Sequence, residues 1–173
     1  MSEACLCPET YPDWHQQDID LSGHAVHRLP MAAFMFMPLS YDSYVQRQAD
    51  EITQLELVES WPGLALSRTR FWGGEILRLL ESSDSASRRV THLESPFLLH
   101  GYLHHGDMGT IRESAPHLQS ALFEKGRIPK ELYLCYLTCD ICQERKGGHK
   151  ILLLRRWQES PRLAKRLKKQ QMN

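Results

Sequence analysis

Residues 97–137, FLLHGYLHHGDMGTIRESAPHLQSALFEKGRIPKELYLCYL, read as a strand, a loop, a helix and a second strand in succession. Phe97 to His104 is an apolar run of strand length. The stretch His105 to Gly109 (HGDMG) has turn composition, and Ile111, Leu118 and Leu122 then recur on one helical face that ends at Gly126. Pro116 fits inside that segment if Ser114 caps the main helical piece, because the first turn of a helix has no use for the N–H that proline lacks. Ile128-Pro129 closes the helix, Leu132 to Leu137 returns as a strand, and Lys150 to Trp157 pairs with it across a polar hairpin loop. The order is strand, helix, strand, strand.

The same order precedes it. Ala25 to Met37 (AVHRLPMAAFMFM) reads as a buried strand closed by Pro38. A helix capped by Ser40 follows, with Tyr41, Tyr44, Val45, Ile52 and Leu55 on its packed face. Trp61-Pro62-Gly63 breaks the helix. Leu64 to Trp72 is a strand, Gly73-Gly74 reads as the hairpin turn, and Ile76 to Leu80 returns. Ser82 to Ser87 (SSDSAS) is the most linker-like stretch and lies near mid-chain, ahead of a short strand at Val90 to Leu93. These boundaries define an irregular lead-in (1–24), one α+β domain of two similar halves (25–81 and 90–157) and a basic C-terminal helix or tail (158–173). The expected fold is a pair of β-α-β-β units forming an antiparallel sheet with helices on one face.

With 173 residues and 42% hydrophobic composition the chain can bury a core without disulfides. Lys plus Arg and Asp plus Glu both number 21, so no global field recruits a polyanion, which argues against nucleic acid as a partner. No apolar run approaches membrane-spanning length and no leader pattern opens the chain, so the expected location is the cytoplasm. Five cysteines there are expected to be reduced.

The duplicated order, with the His104-His105-Gly106 corner, the helix ending in Gly126 and the Pro129 strand carrying Tyr133 and Tyr136, resembles the GyrI-like small-molecule-binding domains. In the first half Pro38-Leu39-Ser40-Tyr41 and Trp61-Pro62 echo these points. The resemblance covers about residues 25–157 and implies an apolar pocket between the halves with effector binding as the activity. No helix-turn-helix pattern precedes the domain, so the implied protein is a stand-alone binder. An acidic residue, Glu75 or Glu94, is implied in the pocket for a cationic ligand. We take Tyr41, Tyr44, Trp72, Glu75, Tyr102, His104 and Tyr133 as candidate ligand-binding residues, since such pockets are mostly apolar with a few polar anchors.

A second possibility is a metal or thiol-redox site. Cys5 and Cys7 form C-x-C, and Cys139 and Cys142 form C-x-x-C; four thiolates brought together suit tetrahedral zinc, although isolated pairs of this kind are more often unligated. His149 offers an alternative third ligand beside Cys139 and Cys142. His100 and His104 share a strand face and His105 takes the other, and histidines in such positions usually serve as core or surface residues. Met31, Met35 and Met37 also share a face and read as packing residues. A third possibility is a hydrolase in the same cleft. The chain contains none of the G-x-S-x-G, H-E-x-x-H or phosphate-loop signatures, so no catalytic residue is assigned.

Overall fold

In a computed structural model describing residues 5–172, the chain folds as an α+β protein with one mainly antiparallel sheet. The elements are β1 (Asp18–Asp20), β2 (Ala25–Phe34), β3 (Met37–Pro38), α1 (Tyr41–Gln54), β4 (Ala65–Thr69), β5 (Trp72–Leu79), β6 (Val90–His92), β7 (Leu98–His105), α2 (Ala115–Glu124), β8 (Arg127–Tyr136), β9 (Lys150–Glu159) and α3 (Pro161–Gln171). A single 3-10 turn, Ile111–Glu113, leads into α2. The main path across the sheet is β1-β7-β9-β8-β4-β5-β2-β3, with β6 paired to β2. Each half therefore contributes three strands in mirrored order, β7-β9-β8 against β4-β5-β2. They meet at a seam where Ser67 pairs with Leu134 and the Ser67 hydroxyl donates to the Leu134 carbonyl at 2.8 Å.

Strand alternation sorts the side chains onto two faces. Between helices and sheet, Val45 of α1 packs with Met31, Ala65 and Ile76 in the first half, and Leu118 of α2 with Ile151 and Leu153 in the second. On the opposite face Leu66, Leu77, Leu79, Tyr133, Cys135, Leu152 and Leu154 form one continuous core, covered by Leu21, Leu93 and Phe97 and by Tyr11 and Trp14 of the lead-in. The lead-in is thus less irregular than its composition suggests: β1 pairs with β7 from Asp18 opposite His100 to Asp20 opposite Leu98. At Gly101 the lead-in presses so closely that a Cβ would sit 2.0 Å from the Trp14 carbonyl oxygen. Only glycine permits that approach.

Three local expectations change. The first strand ends at Phe34, because Met35 and Phe36 take positive φ (49° and 65°) and turn the chain back into β3; Met31 is buried, whereas Met35 and Met37 are exposed at the tip and are not packing residues. Arg70-Phe71 connects β4 to β5, and the turn closes where the Arg70 N–H donates to the Gly73 carbonyl at 2.9 Å, so Gly74 is not part of it. Gly73, at φ 73°, lies in β5 opposite a bulge of β2, and a Cβ on Gly74 would meet the Arg68 carbonyl oxygen at 2.4 Å. Ser40 precedes α1 in a left-handed conformation (φ 56°) without a side-chain cap bond. Pro129 is tolerated within β8 because it falls at a register shift against β9 and outside the single pairing with β4.

The first helix is tied to the sheet by a buried polar cluster. The Gln48 amide lies 3.0 Å from the Ile76 carbonyl oxygen and 3.1 Å from His27 Nδ1, while His27 Nε2 lies 3.2 Å from Glu51. Arg89 and Arg47 complete the shell around Glu51. Burial pushes His27 below its ordinary 6.5, with Glu51 acting in the other direction. Burial works to raise Glu51, but Arg89 and His27 outweigh it and leave its pKa below 4.5.

Both shifts have the same consequence for stability. Below pH 6.5 the unfolded chain takes up a proton at His27 that the folded protein refuses, and below pH 4.5 the unfolded chain protonates Glu51 first, so stability falls as pH falls through each range. Urea midpoints should therefore drop from pH 7.5 to pH 5.5, with a flatter slope in His27→Asn. A second check is Gly101→Ala, expected to cost roughly 2 kcal/mol or more by forcing the lead-in off β7, read as a lowered urea midpoint.

Candidate functional site

The most sharply built feature is a thiol cluster at the end of the sheet where β8 turns toward β9. Cys5, Cys7, Cys139 and Cys142 place their sulfurs within 4.8 Å of one another. Cys5 Sγ lies 3.6 Å from Cys139 Sγ, and Cys139 Sγ lies 3.8 Å from Cys142 Sγ. Those spacings are far too long for a disulfide and match the roughly 3.8 Å edge of a tetrahedron with metal–sulfur bonds near 2.3 Å. The loop is wound for the purpose: the Cys142 and Gln143 N–H groups donate to the Cys139 carbonyl, and the Cys139 N–H points at Cys142 Sγ at 3.3 Å.

The electrostatics are uneven. Burial raises Cys139, but N–H groups of Cys142 and Ile141 and the thiols of Cys5 and Cys7 more than offset it and bring its pKa to about 7. Burial pushes Cys7 up, as does the crowding of the other three sulfurs. One thiolate forms readily; four need a cation among them. Lys146, whose ammonium donates to the Pro8 carbonyl at 2.7 Å, and Arg145, paired with Glu9 at 3.1 Å, hold the N-terminal segment against the hairpin loop. The four residues named from spacing alone thus converge. Cys135 does not belong with them; it is buried in the open-face core.

Beside the cluster, on the helix side of the sheet, is a recess of about 230 Å³. Its apolar wall is Tyr136, Ile151 and Met108, and Asp107, Asp140 and His149 stand at its rim. His149 Nε2 lies 3.6 Å from Asp140 and its Nδ1 lies 3.4 Å from the Thr138 hydroxyl. Tyr136 meets Tyr41 of the first half edge to face, with ring centroids 5.0 Å apart, so the recess backs onto the seam. Burial raises both phenols, keeping them neutral. The β7-to-α2 loop is fastened from behind by His104, which bonds the Ser114 hydroxyl at 2.6 Å and the Thr110 hydroxyl at 2.9 Å.

The residues expected to bind ligand are not gathered in one pocket. Tyr41 reaches the back of the recess, and Tyr44 packs beside it against the first-half helix-side core. Tyr102 stacks on His117 and His104 is a loop fastener. Trp72 is exposed at a hairpin tip. Tyr133 is buried on the opposite face, where burial pushes its pKa up to about 12. Glu75 lies 2.6 Å from Arg28 and 3.6 Å from Arg68. Arg68 continues to Glu131, Glu131 faces Arg156, and Arg156 pairs with Glu94. This strip of alternating charge crosses the seam, so the Glu75 carboxylate is already neutralised by guanidinium groups. A wider groove of about 710 Å³ at Glu94, Pro96, Lys130, Arg156 and Trp157 ends on the same strip. His149, read from its spacing as an alternative ligand beside Cys139 and Cys142, lines the recess with Asp140, which had no sequence signature of its own.

A mirrored pair of β-α-β-β units in one sheet is also the architecture of known structures. The crystal structure of the EcmrR C-terminal domain superposes with a TM-score of 0.62 at 8% identity, covering 83% of this chain and 96% of that one. EcmrR in its cryo-EM complex with DNA gives 0.56 at 9% identity, covering 83% of this chain and 57% of that one. At these identities the likeness is one of fold. The family model described as bacterial hydrolase matches residues 1–156, and the chain belongs to that family. No curated protein matches it.

The DNA complex corrects one expectation. Balanced net charge argued against nucleic acid as a partner, but the same architecture occurs in EcmrR, whose structure was determined in complex with DNA, so net charge does not set nucleic acid aside for a chain of this fold. Net charge rules out only a global field, not a local contact. Among the described residues no helix is long and apolar enough to cross a membrane.

If the thiols hold zinc, reduced protein purified without chelator should carry it stoichiometrically by elemental analysis. Cys5→Ser/Cys7→Ser and Cys139→Ser/Cys142→Ser should each lose the metal and melt about 10 °C lower. Metal-free wild type with unchanged melting would remove zinc from the account.

Proposed function

We propose that this chain binds a small neutral or cationic organic substrate in the recess at Tyr136 and hydrolyses it there, with zinc at the four cysteines as a structural clasp. The observation that carries this proposal is the His149–Asp140 pair at 3.6 Å on a recess that Asp107 and an apolar wall also line, in a chain that belongs to a bacterial hydrolase family. Binding is further supported by the resemblance to GyrI-like domains and by the fold shared with the EcmrR C-terminal domain. The volume is below the roughly 300 Å³ at which drug-sized pockets begin, which suits a small ester or amide.

In this proposal Asp140, 3.6 Å from Nε2, orients the imidazole, and Nδ1 takes a proton from the attacking water by way of the Thr138 hydroxyl and returns it to the leaving group by the same route. Asp107 and Asp140 set the preference for positive or neutral substrates. A zinc ion held by four thiolates has no open position, so it contributes by fixing the recess wall at Cys139 rather than by activating water.

The test is a panel of small esters and amides assayed with wild type, His149→Gln and Asp107→Asn. Turnover should fall at least about 100-fold in His149→Gln, a general acid–base loss, with melting temperature unchanged. A ligand that shifts the Tyr136 and His149 NMR signals without turnover would leave effector binding as the function. Turnover indifferent to His149→Gln would place the chemistry elsewhere.

A further inference from the structure

The end of the sheet opposite the cysteine cluster carries a feature with no part in the recess. Phe34, Met35, Phe36, Met37, Phe71 and Trp72 are all exposed, with Phe36 at 62%, Met37 at 69% and Trp72 at 69%. They project from two adjoining hairpin turns held together by backbone: the Met35 N–H donates to the Phe71 carbonyl at 2.8 Å and the Phe36 N–H to the Arg70 carbonyl at 3.2 Å. The rings brace one another, Phe34 to Trp72 at 4.9 Å and Phe71 to Trp72 at 5.2 Å. A tip of this make-up is costly in water, and large exposed apolar patches mark interaction surfaces.

The backbone makes the choice of residues more pointed. A two-residue hairpin connection with positive φ at both positions is the type that asparagine and glycine occupy without strain. Here the positions are Met35 and Phe36, at φ 49° and 65°. Two bulky side chains are thus kept in a left-handed turn that folding alone would assign to smaller ones, and such outliers concentrate where a site is built.

The same end of the sheet carries α3. Ser67 stands opposite Leu134 in antiparallel strands, so the Arg70-Phe71 turn lies alongside Lys130, with Gly126 farther out in the same direction. Gly126 is where α3 packs; a Cβ there would meet Ala164 Cα at 3.1 Å. Leu163, Ala164 and Leu167 are half-buried, whereas Arg162, Lys165, Arg166, Lys168 and Lys169 are exposed, and α3 contains no acidic residue.

We propose that this end of the sheet docks on the surface of an anionic lipid bilayer, the aromatic and methionine tip entering the interface while the cations of α3, with Arg70 and Lys130, lie at the headgroups. An apolar projection beside a basic amphipathic helix is the two-part chemistry of peripheral membrane attachment. Two details favour lipid over a protein strand or stacked bases at the tip. Pro38 ends the edge strand β3 and lacks the N–H that strand addition requires. The rings meet at 54° to 80°, closing the parallel slots in which bases stack.

The test is flotation of the full chain with phosphatidylcholine vesicles and with phosphatidylcholine–phosphatidylserine vesicles. Wild type should bind the anionic vesicles and release in high salt. Met35→Asn/Phe36→Gly, which suits the turn better, should melt at the same temperature or higher yet bind about tenfold or more weakly. Lys165→Gln/Lys168→Gln/Lys169→Gln, at exposed positions, should bind roughly 100-fold more weakly. The proposal is overturned if wild type ignores anionic vesicles, or if the tip variant binds them as well as wild type. It is also overturned if the tip changes alter only self-association in sedimentation or only retention of a DNA duplex.

Discussion

Covering the open face of the sheet is the constraint on which the rest of this molecule depends. Two short helices shield one side of a broad antiparallel sheet, and the other side is no less apolar. Tyr11 and Trp14 of the lead-in, with Leu21, Leu93 and Phe97, close that side. The lead-in can lie flat only where Gly101 leaves no side chain beneath Trp14, and it ends at Pro8 lodged against Gly63. A segment held at two glycines, with its far end gathered by cysteines, behaves as part of the core although no long element runs through it.

That cover decides where small molecules can go. On the open face the seam between the halves is filled by Leu66, Tyr133, Cys135 and Leu152, and its polar end is closed by paired charges from Arg28 to Glu94. A carboxylate among guanidinium groups is satisfied, and attracting a cation to Glu75 would first require breaking those pairs. Free space and unspent polar groups coincide instead beside the thiol cluster, where the second hairpin loop is long enough to curl back.

Much of the fold was legible because its signals are local. Ile111, Leu118 and Leu122 mark α2, the apolar runs mark β7 and β9, and Ser114 with Pro116 marks the helix start. Features that depend on distant partners were not. Asp18–Asp20 is too short and polar to announce a strand, and it becomes one only because β7 offers an edge. Gly73-Gly74 has turn composition, yet only Gly73 takes part in the reversal, at φ 73° with its carbonyl accepting from the Arg70 N–H, whereas Gly74 is required by crowding against the Arg68 carbonyl oxygen. The cysteine types were readable, but their convergence is a tertiary fact spanning most of the chain. His149 was legible only by its spacing from the cysteines, as a metal ligand, and Asp140 carried no pattern; loop geometry puts both beside Tyr136.

The mirrored strand order also gives every position a counterpart in the other half, at the opposite end of the sheet. The loop that follows β7 and borders the recess corresponds to the connection that follows β2, and the β8–β9 loop bearing Cys139 and Cys142 corresponds to the Arg70-Phe71 turn. If the halves descend from one ancestral unit, that unit presented both loops at one end, and doubling it produced two such ends facing apart. One end carries the recess and the long cysteine loop, and the other carries a short turn raised into an apolar point. Divergence between the copies, rather than the shared framework, then separates what the two ends of this protein meet.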